Sequence, residues 1–156
     1  MKPDYQAVLP TPFAALGIRT NERAVTGIDF LPVDIPPQAP ESSIAVQACK
    51  ELLAYVRDAA HVFDVPLELH GTPFQRKVWQ AIAAIPAAHP LTYGELAQHL
   101  GSSPRAVGQA CGSNPIPVIV PCHRVLAKGG LGGFMHSRGT GALSIKHWLL
   151  AHETVE

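Results

Sequence analysis

Along the first third of the chain the apolar positions come in short runs broken by proline, glycine and asparagine: YQAVLP, FAALGIRT and VTGIDFLPV. Short apolar or alternating runs punctuated this way predict hairpin-linked β-strands. The proline-rich DIPPQAPESS that follows can continue neither a strand nor a helix, and it delivers Ser42 or Ser43 as a helix N-cap. From there Ile44, Ala48, Leu52 and Tyr55 recur at helical spacing through SIAVQACKELLAYVRDAA.

The pattern changes after FDVPLELHG, which sets a domain boundary between residues 1–70 and 71–156. TPFQ is a helix start, with Thr72 as N-cap, Pro73 at the first helical position and Gln75 closing a capping box. Phe74, Val78, Ile82 and Ile85 then line one face. TYGE repeats the device at Thr92 and Glu95, with Tyr93, Leu96, Ala97 and Leu100 on one face. Gly101 stops that helix, and Ser103 followed by Pro104 starts another.

The stretch LTYGELAQHLGSSPRAVGQACGSN therefore reads as helix, short turn, helix, the helix-turn-helix signature. Helical hairpins also serve purely structural ends, so this stretch alone does not identify a DNA binder. Its second helix, RAVGQACG, offers one long basic side chain, Arg105, among alanine, glycine and valine. A major-groove reader needs several Arg, Asn or Gln side chains at base edges. The small surface suits close approach to a sugar-phosphate wall in the minor groove, and equally suits close helix packing. Further on, PVIV is a short buried run between prolines that ends at Cys122. After the glycine-rich KGGLGGFMHSRGTG, ALSIKHWLLAHE predicts a terminal helix with Ile145, Trp148, Leu149 and His152 on or near one face.

Composition narrows the class. A chain of 156 residues with 47% hydrophobic and 15% charged positions suits one ordinary domain or two small ones. Its formal net charge of zero lacks the basic excess common in nucleic-acid binders, although a local positive stripe can sit on a neutral protein. No apolar stretch approaches the roughly 20 residues of a membrane span, and MKPDYQAVLPTPF lacks the continuous apolar core of a signal peptide. Three cysteines, odd in number and without a CxxC pair, argue against a disulfide framework and for a reducing compartment. The expectation is a cytoplasmic protein with no membrane partner.

Cys49, inside a helix beside Ala48, and Cys111, ending the small-residue helix, read as buried hydrophobes. Cys122 differs. Pro121 fixes the backbone before it, and His123 and Arg124 are polar groups that the end of a buried run would not choose. Asn114-Pro115 opens the segment with a side chain able to brace a turn. A thiol with a pKa near ~8.5 is mostly protonated at neutral pH, so a nucleophilic cysteine needs a base or a positive field. Adjacent side chains diverge, which points His123 at the thiol through a bridging water. A carboxylate would then orient the imidazole, and spacing does not say which. Cys122-His123 has no second pair at zinc-ligand spacing, so neither metal nor cofactor is expected.

Together IPVIVPCHRV, SPRAVGQACGSNP and KHWLLAHE resemble the O6-alkylguanine-DNA alkyltransferases, also called methylated-DNA–protein-cysteine methyltransferases. The match runs from about Gly71 to Glu153; the first seventy residues are similar in layout only. The resemblance implies an α/β fold of the α+β kind. A three-stranded antiparallel, ribonuclease-H-like sheet with a helix precedes a helical winged-helix-type domain. It implies a monomer that turns an O6-alkylguanine out of double-stranded DNA from the minor groove and takes its alkyl group. Cys122 would be the acceptor, His123 its base through a water, Glu153 the group orienting His123, and Asn114 the brace for turn and thiol. Tyr93 would bond the flipped base, Arg105 would replace it in the stack, and main chain at Cys122 and Val125 would read its edges. Ala106, Gly108 and Arg124 complete the substrate- and DNA-facing set.

The chain departs from the family pattern between motif and terminal helix. Family members carry a short Tyr-x-Gly-Gly loop, whereas GGFMHSRGTGAL is longer and has Phe134 in the tyrosine's place. With Gly132, Gly133, Gly139 and Gly141 it suggests a movable lid over the alkyl pocket. The cysteine and histidine zinc ligands that some relatives carry near the N-terminus are missing. The alternative is a lesion-binding sensor or regulator without transfer; a cysteine hydrolase ranks last, since no oxyanion hole is evident.

Overall fold

The computed structural model describes residues 4–130, 132–134 and 140–154, and the chain divides into two compact units, Met1–His70 and Gly71–Glu156. In the first, β1 (Ala7–Pro10), β2 (Ala15–Thr20) and β3 (Val25–Leu31) form an antiparallel sheet in the order β1-β2-β3. Ala7 pairs with Ile18, and Ile18 in turn with Ile28, and the most buried strand lies in the middle. The helix α1 (Ser43–Arg57) packs on this sheet, capped by Ser42, whose side chain accepts from the Ala45 amide. Ala45, Ala48, Cys49, Leu52 and Tyr55 form its buried stripe, and Ile44 is only half-buried. α1 stops at Arg57, short of the Ala60 reached by the apolar pattern, because Asp58 takes an extended conformation and its carboxylate accepts from the Ala60 amide.

The sheet's other face carries a polar cluster. The Tyr5 ring lies over Gly17, where a Cβ would come within 2.5 Å of a ring carbon, so only glycine fits. Asp29 accepts from the Tyr5 hydroxyl at 2.9 Å and from Arg19 at 3.0 Å. Gln38 exchanges backbone hydrogen bonds with Val8, so part of the proline-rich connector covers the β1 edge.

The second unit is mainly helical. In α2 (Pro73–Ala83) and α3 (Tyr93–Leu100) the capping boxes form as the sequence predicts, from Thr72 with Gln75 and from Thr92 with Glu95. Gly101 closes α3 in the left-handed conformation at φ 64°, and Ser103 caps α4 (Pro104–Gly112). Trp79 is 1% exposed, and its indole N–H donates to the Ala110 carbonyl at 2.8 Å, tying α2 to α4.

A two-residue strand β4 (Leu91–Thr92) pairs in parallel with β5 (Val125–Leu126). That pairing sets the start of α3, and so Tyr93, beside the residues that follow Cys122. PVIV is buried as expected but forms no strand: the Val120 amide returns to the Ile116 carbonyl at 2.9 Å, and Val118 has φ 74°. The last helix, α5 (Thr140–Thr154), takes Gly141 into its first turn, so that glycine belongs to the helix and not to the loop. Its buried stripe is Lys146, Leu149 and Glu153, whereas Ile145, Trp148 and His152 are half-buried, with Trp148 stacked on His152 at 4.9 Å. Among the described residues no helix is long and apolar enough to cross a membrane.

Candidate active site

Asn114 follows the end of α4 and is 1% exposed. Its amide nitrogen donates to the Val120 carbonyl at 2.8 Å, and its carbonyl accepts from the Ile116 amide at 3.0 Å. Both ends of the intervening turn are thereby fastened to one side chain. The Val120 carbonyl also accepts from the Cys122 amide at 2.8 Å, across Pro121 at φ −83°, ψ 66°, close to an inverse γ-turn. Cys122 then opens a short 3-10 turn, Cys122–Arg124. The Asn114 side chain reaches the Cys122 sulfur as well. A buried asparagine thus sets both the backbone and the thiol.

Cys122 is 3% exposed, and burial pushes its thiol up to about 11, against the opposing pull of the Asn114 hydrogen bond and the Lys146 ammonium. The resting side chain is therefore a neutral thiol. His123, fully buried, shares its Nε2 with Glu153 Oε2 at 2.7 Å. A carboxylate only accepts, so Nε2 carries the ring proton and Nδ1 keeps a lone pair. That Nδ1 is buried and has no hydrogen-bond partner among the described residues. Burial holds the imidazole below its ordinary pKa, with Glu153 opposing, so the ring is neutral and ready to accept a proton.

Arg124 grips the same carboxylate. Its Nε donates to Glu153 Oε1 and its Nη2 to Oε2, both at 2.9 Å, while Nη1 donates to the Ile85 carbonyl at 2.6 Å. Lys146, fully buried, donates to the carbonyls of Val125 at 2.8 Å and Gly133 at 2.9 Å. Its ammonium stands 5.8 Å from the centre of the Tyr93 ring. Burial lowers its pKa to about 8, offset by Cys122 and Cys111, so it remains mostly charged at neutral pH.

The site is thus a buried thiol, a neutral base with an open lone pair, a carboxylate anchored by a guanidinium, and a buried cation. Residues 73–155 match the family model for the 6-O-methylguanine DNA methyltransferase DNA-binding domain. A methylated-DNA–protein-cysteine methyltransferase of Methanosarcina acetivorans is 35% identical over 96% of this chain and 97% of its own length. The chain belongs to this family. The O6-methylguanine methyltransferase of Mycobacterium tuberculosis superposes with a TM-score of 0.78 at 33% identity, covering 94% of this chain and 90% of that one. A structure of Mycobacterium tuberculosis OGT in complex with DNA superposes with a TM-score of 0.75 at 33% identity, with the same coverage of both chains.

In this methyltransferase fold Cys122, His123, Glu153 and Asn114 come together as one buried group, and Tyr93 adjoins it through Lys146 and the loop. The Tyr93 hydroxyl donates to the Gly133 carbonyl at 3.4 Å. Gly132 lies against the Tyr93 ring at φ 72°, where a Cβ would come within 2.9 Å of a ring carbon, so glycine is required there. Arg105 stands exposed near the start of α4, apart from the buried group. On the same helix Gly108 faces the Tyr93 ring with room for a Cβ at 3.9 Å. Ala106, Gln109, Ala110 and Ser113 line an open cleft of about 480 Å³ with Thr72, Phe74 and Gln75.

The structure corrects one assignment and adds one residue. Arg124, expected to face substrate or DNA, turns inward because the buried Glu153 carboxylate demands a countercharge. Lys146 was not anticipated, although it falls on one helical stripe with Leu149 and Glu153, and that spacing was readable. The Val125 carbonyl accepts from Lys146, which takes one of its lone pairs. Phe134 is 3% exposed and packs inward. Gly139 and the rest of 135–139, on which the lid expectation partly rests, lie outside the described residues. Among the described residues no group of His, Cys, Asp and Glu could hold a metal ion.

Proposed function

We propose that this methyltransferase carries an alkyl group from O6 of guanine in double-stranded DNA to the sulfur of Cys122, once per molecule. The observation that carries the reading is the open Nδ1 of a neutral His123, set by the Glu153 carboxylate in the residue next to the buried thiol. The thiol proton passes through a bridging water to Nδ1. The sulfur lone pair forms a bond to the alkyl carbon, the carbon–O6 bond breaks, and its electron pair leaves on the purine. Glu153 stabilises the imidazolium and is itself anchored by Arg124. The Tyr93 hydroxyl, released from Gly133, donates to the departing purine and disperses its charge. The second lone pair of the Val125 carbonyl accepts from the base edge.

The product is a thioether. Unlike an acyl ester it has no carbonyl for water to attack, so the protein is spent after one transfer. Bringing the base to a thiol this buried requires flipping it from the stack, with Arg105 filling the gap and the small residues Ala106 and Gly108 set against the minor groove. We read the active species as a monomer. Three buried, unpaired cysteines suit a reducing compartment such as the cytoplasm.

Intact-protein mass after exposure to a duplex carrying O6-methylguanine tests the reading. The expected result is a gain of one methyl group in place of hydrogen, mapped to Cys122. Cys122→Ala should abolish that gain and leave DNA affinity within a few-fold. Binding without any gain of mass would instead support a lesion sensor, and alkylation of Cys49 or Cys111 at a comparable rate would overturn the assignment of Cys122.

A further inference from the structure

The turn that leads into Cys122 contains a residue in an unfavourable conformation. Among the described residues two that are not glycine have positive φ, Ala88 and Val118. Ala88 lies exposed in a surface turn, where local relaxation is easy. Val118 is 1% exposed, is branched at Cβ, and holds φ 74°. A β-branched residue in the left-handed region is a genuine outlier, because Cβ and the neighbouring carbonyl crowd one another. Such conformations persist where surrounding structure over-determines them.

Three features fix this one. Pro117 precedes it with its own φ fixed by the ring, Pro117 and Val120 pair as an isolated bridge across Val118 and Ile119, and the left-handed position between them normally takes glycine or asparagine. Asn114 fastens both ends of the segment, at Ile116 and at Val120. The Val120 amide closes back on the Ile116 carbonyl at 2.9 Å. The segment's exit, the Val120 carbonyl, accepts both from Asn114 and from the amide of Cys122. The direction of that carbonyl therefore decides where the acceptor sulfur sits.

We propose that Val118 is a positioning residue for alkyl transfer: its buried side chain locks the Pro117–Val118 turn in the left-handed state that aims the Val120 carbonyl, and with it the Cys122 sulfur. The inference rests on Cys122 being the acceptor. A glycine here would adopt the same backbone without strain but would also leave it free to depart. Valine accepts the strain and supplies the packing that fixes the turn. A misplacement of the reacting atom by about 1 Å costs about a hundredfold in rate, so such fixing matters most for an in-line attack on a small carbon.

Glycine and alanine variants separate this role from plain core filling. A residue that only fills space predicts an order set by volume, with Val118→Ala closer to wild type than Val118→Gly in both stability and transfer. A residue that holds a left-handed turn predicts the reverse. Alanine keeps the Cβ penalty and loses the packing, so its backbone relaxes and carries Cys122 away; glycine keeps the turn. The expected single-turnover rates on duplex O6-methylguanine are a loss of about a hundredfold for Val118→Ala and within about tenfold for Val118→Gly. Hydrogen-exchange protection of the Cys122 amide should be lost in the alanine variant and kept in the glycine one. Alanine equal to or faster than glycine, or protection kept in both, overturns the proposal. Should the alanine variant not fold, the glycine variant decides: rate and protection retained support the proposal, and loss of both overturns it. A wild-type protein that takes up no alkyl group, or takes it elsewhere than on Cys122, fails the acceptor assignment instead, and is told apart by mass.

Discussion

Glu153→Gln tests how the buried carboxylate serves both fold and chemistry. The amide can face its partners in two ways. With its oxygen toward His123 and Nη2 of Arg124, its NH2 meets the Nε–H of Arg124, one donor against another. Turned over, the NH2 meets Nη2–H and also forces Nε2 of His123 to accept, which moves the ring proton to Nδ1 and blocks the base. The first arrangement has fewer conflicts, so the loss is dominated by charge. A carboxylate and an imidazolium whose charge centres lie about 4 Å apart attract by about 4 kcal/mol at an effective dielectric near 20. That is about a thousandfold in the proton transfer, and relaxation of the site brings the expected slowing to about 10²–10³-fold. The guanidinium of Arg124, its side chain 11% exposed, loses its countercharge, which should lower stability by about 3 kcal/mol. Single-turnover transfer from a duplex O6-methylguanine substrate, measured across pH on protein verified as folded by near-ultraviolet circular dichroism, reads both effects. In the variant the weakened base leaves more of the reaction to thiolate formed by solvent, so the rate should climb more steeply with pH than in wild type toward the thiol's pKa of about 11. A folded variant with the wild-type rate and an unchanged profile would remove Glu153 from the relay.

Three further outcomes follow from the same geometry. Arg105→Ala should slow repair of duplex DNA more than reaction with free O6-benzylguanine, because filling a vacated stack is needed only in duplex; equal losses would make Arg105 a support of the fold. Lys146→Met should push the Cys122 thiol above about 11 and slow transfer, since the ammonium lowers that pKa and holds the Val125 and Gly133 carbonyls; thiolate absorbance that titrates as in wild type would refute it. The folded His123 has its pKa held below the ordinary 6.5, so its contribution to stability is present above that pH and is lost as pH falls. The unfolded chain then gains a proton that the folded one refuses, giving a slope of up to about 1.4 kcal/mol per pH unit. His123→Gln should flatten that limb in urea titrations, and a limb of the same slope in the variant would assign it to other groups.

What could be read from sequence follows the range of the forces involved. The caps at Ser42, Thr72, Thr92, Gly101 and Ser103 each depend on residues within about one turn, and each forms. The strands were legible because the runs between breakers are short and apolar. Arg124 and Glu153 lie 29 residues apart, and only the packing of α5 against the motif turn brings them together. No local pattern announces such a pair, and the residues alone left the orienting carboxylate open; Glu153 entered through family resemblance. The same holds for Glu51, a buried carboxylate that accepts from the Asp64 amide at 2.6 Å and meets His61 at 3.2 Å across a loop. Val118 escaped for another reason: valine is the residue least suited to its conformation, so its identity argues against the turn it makes. Lys146 was the avoidable omission, since a lysine in register with Leu149 and Glu153 lies on the face that the helix buries.

The burial of Cys122 bears on why a protein used once needs this architecture. A thiol with a pKa of about 11 is ionised in about one molecule in ten thousand at pH 7. Left in solvent, an activated thiolate would be consumed by any passing electrophile, and the single turnover would be wasted. Here the sulfur is covered, neutral and hydrogen-bonded, while the groups that activate it are already in place: the lone pair of His123, the carboxylate behind it and the ammonium of Lys146. In the proposed mechanism they act only when a flipped base brings an alkyl carbon to the sulfur while a bridging water links the thiol to Nδ1. Reactivity is therefore conditional on recognition, and the electrostatic work of building the site is done during folding, before any lesion arrives. The same logic explains the burial of a lysine whose charge is costly to desolvate. Its pKa, lowered by burial to about 8, still leaves it mostly protonated at neutral pH, so the positive field is present when the thiol begins to lose its proton.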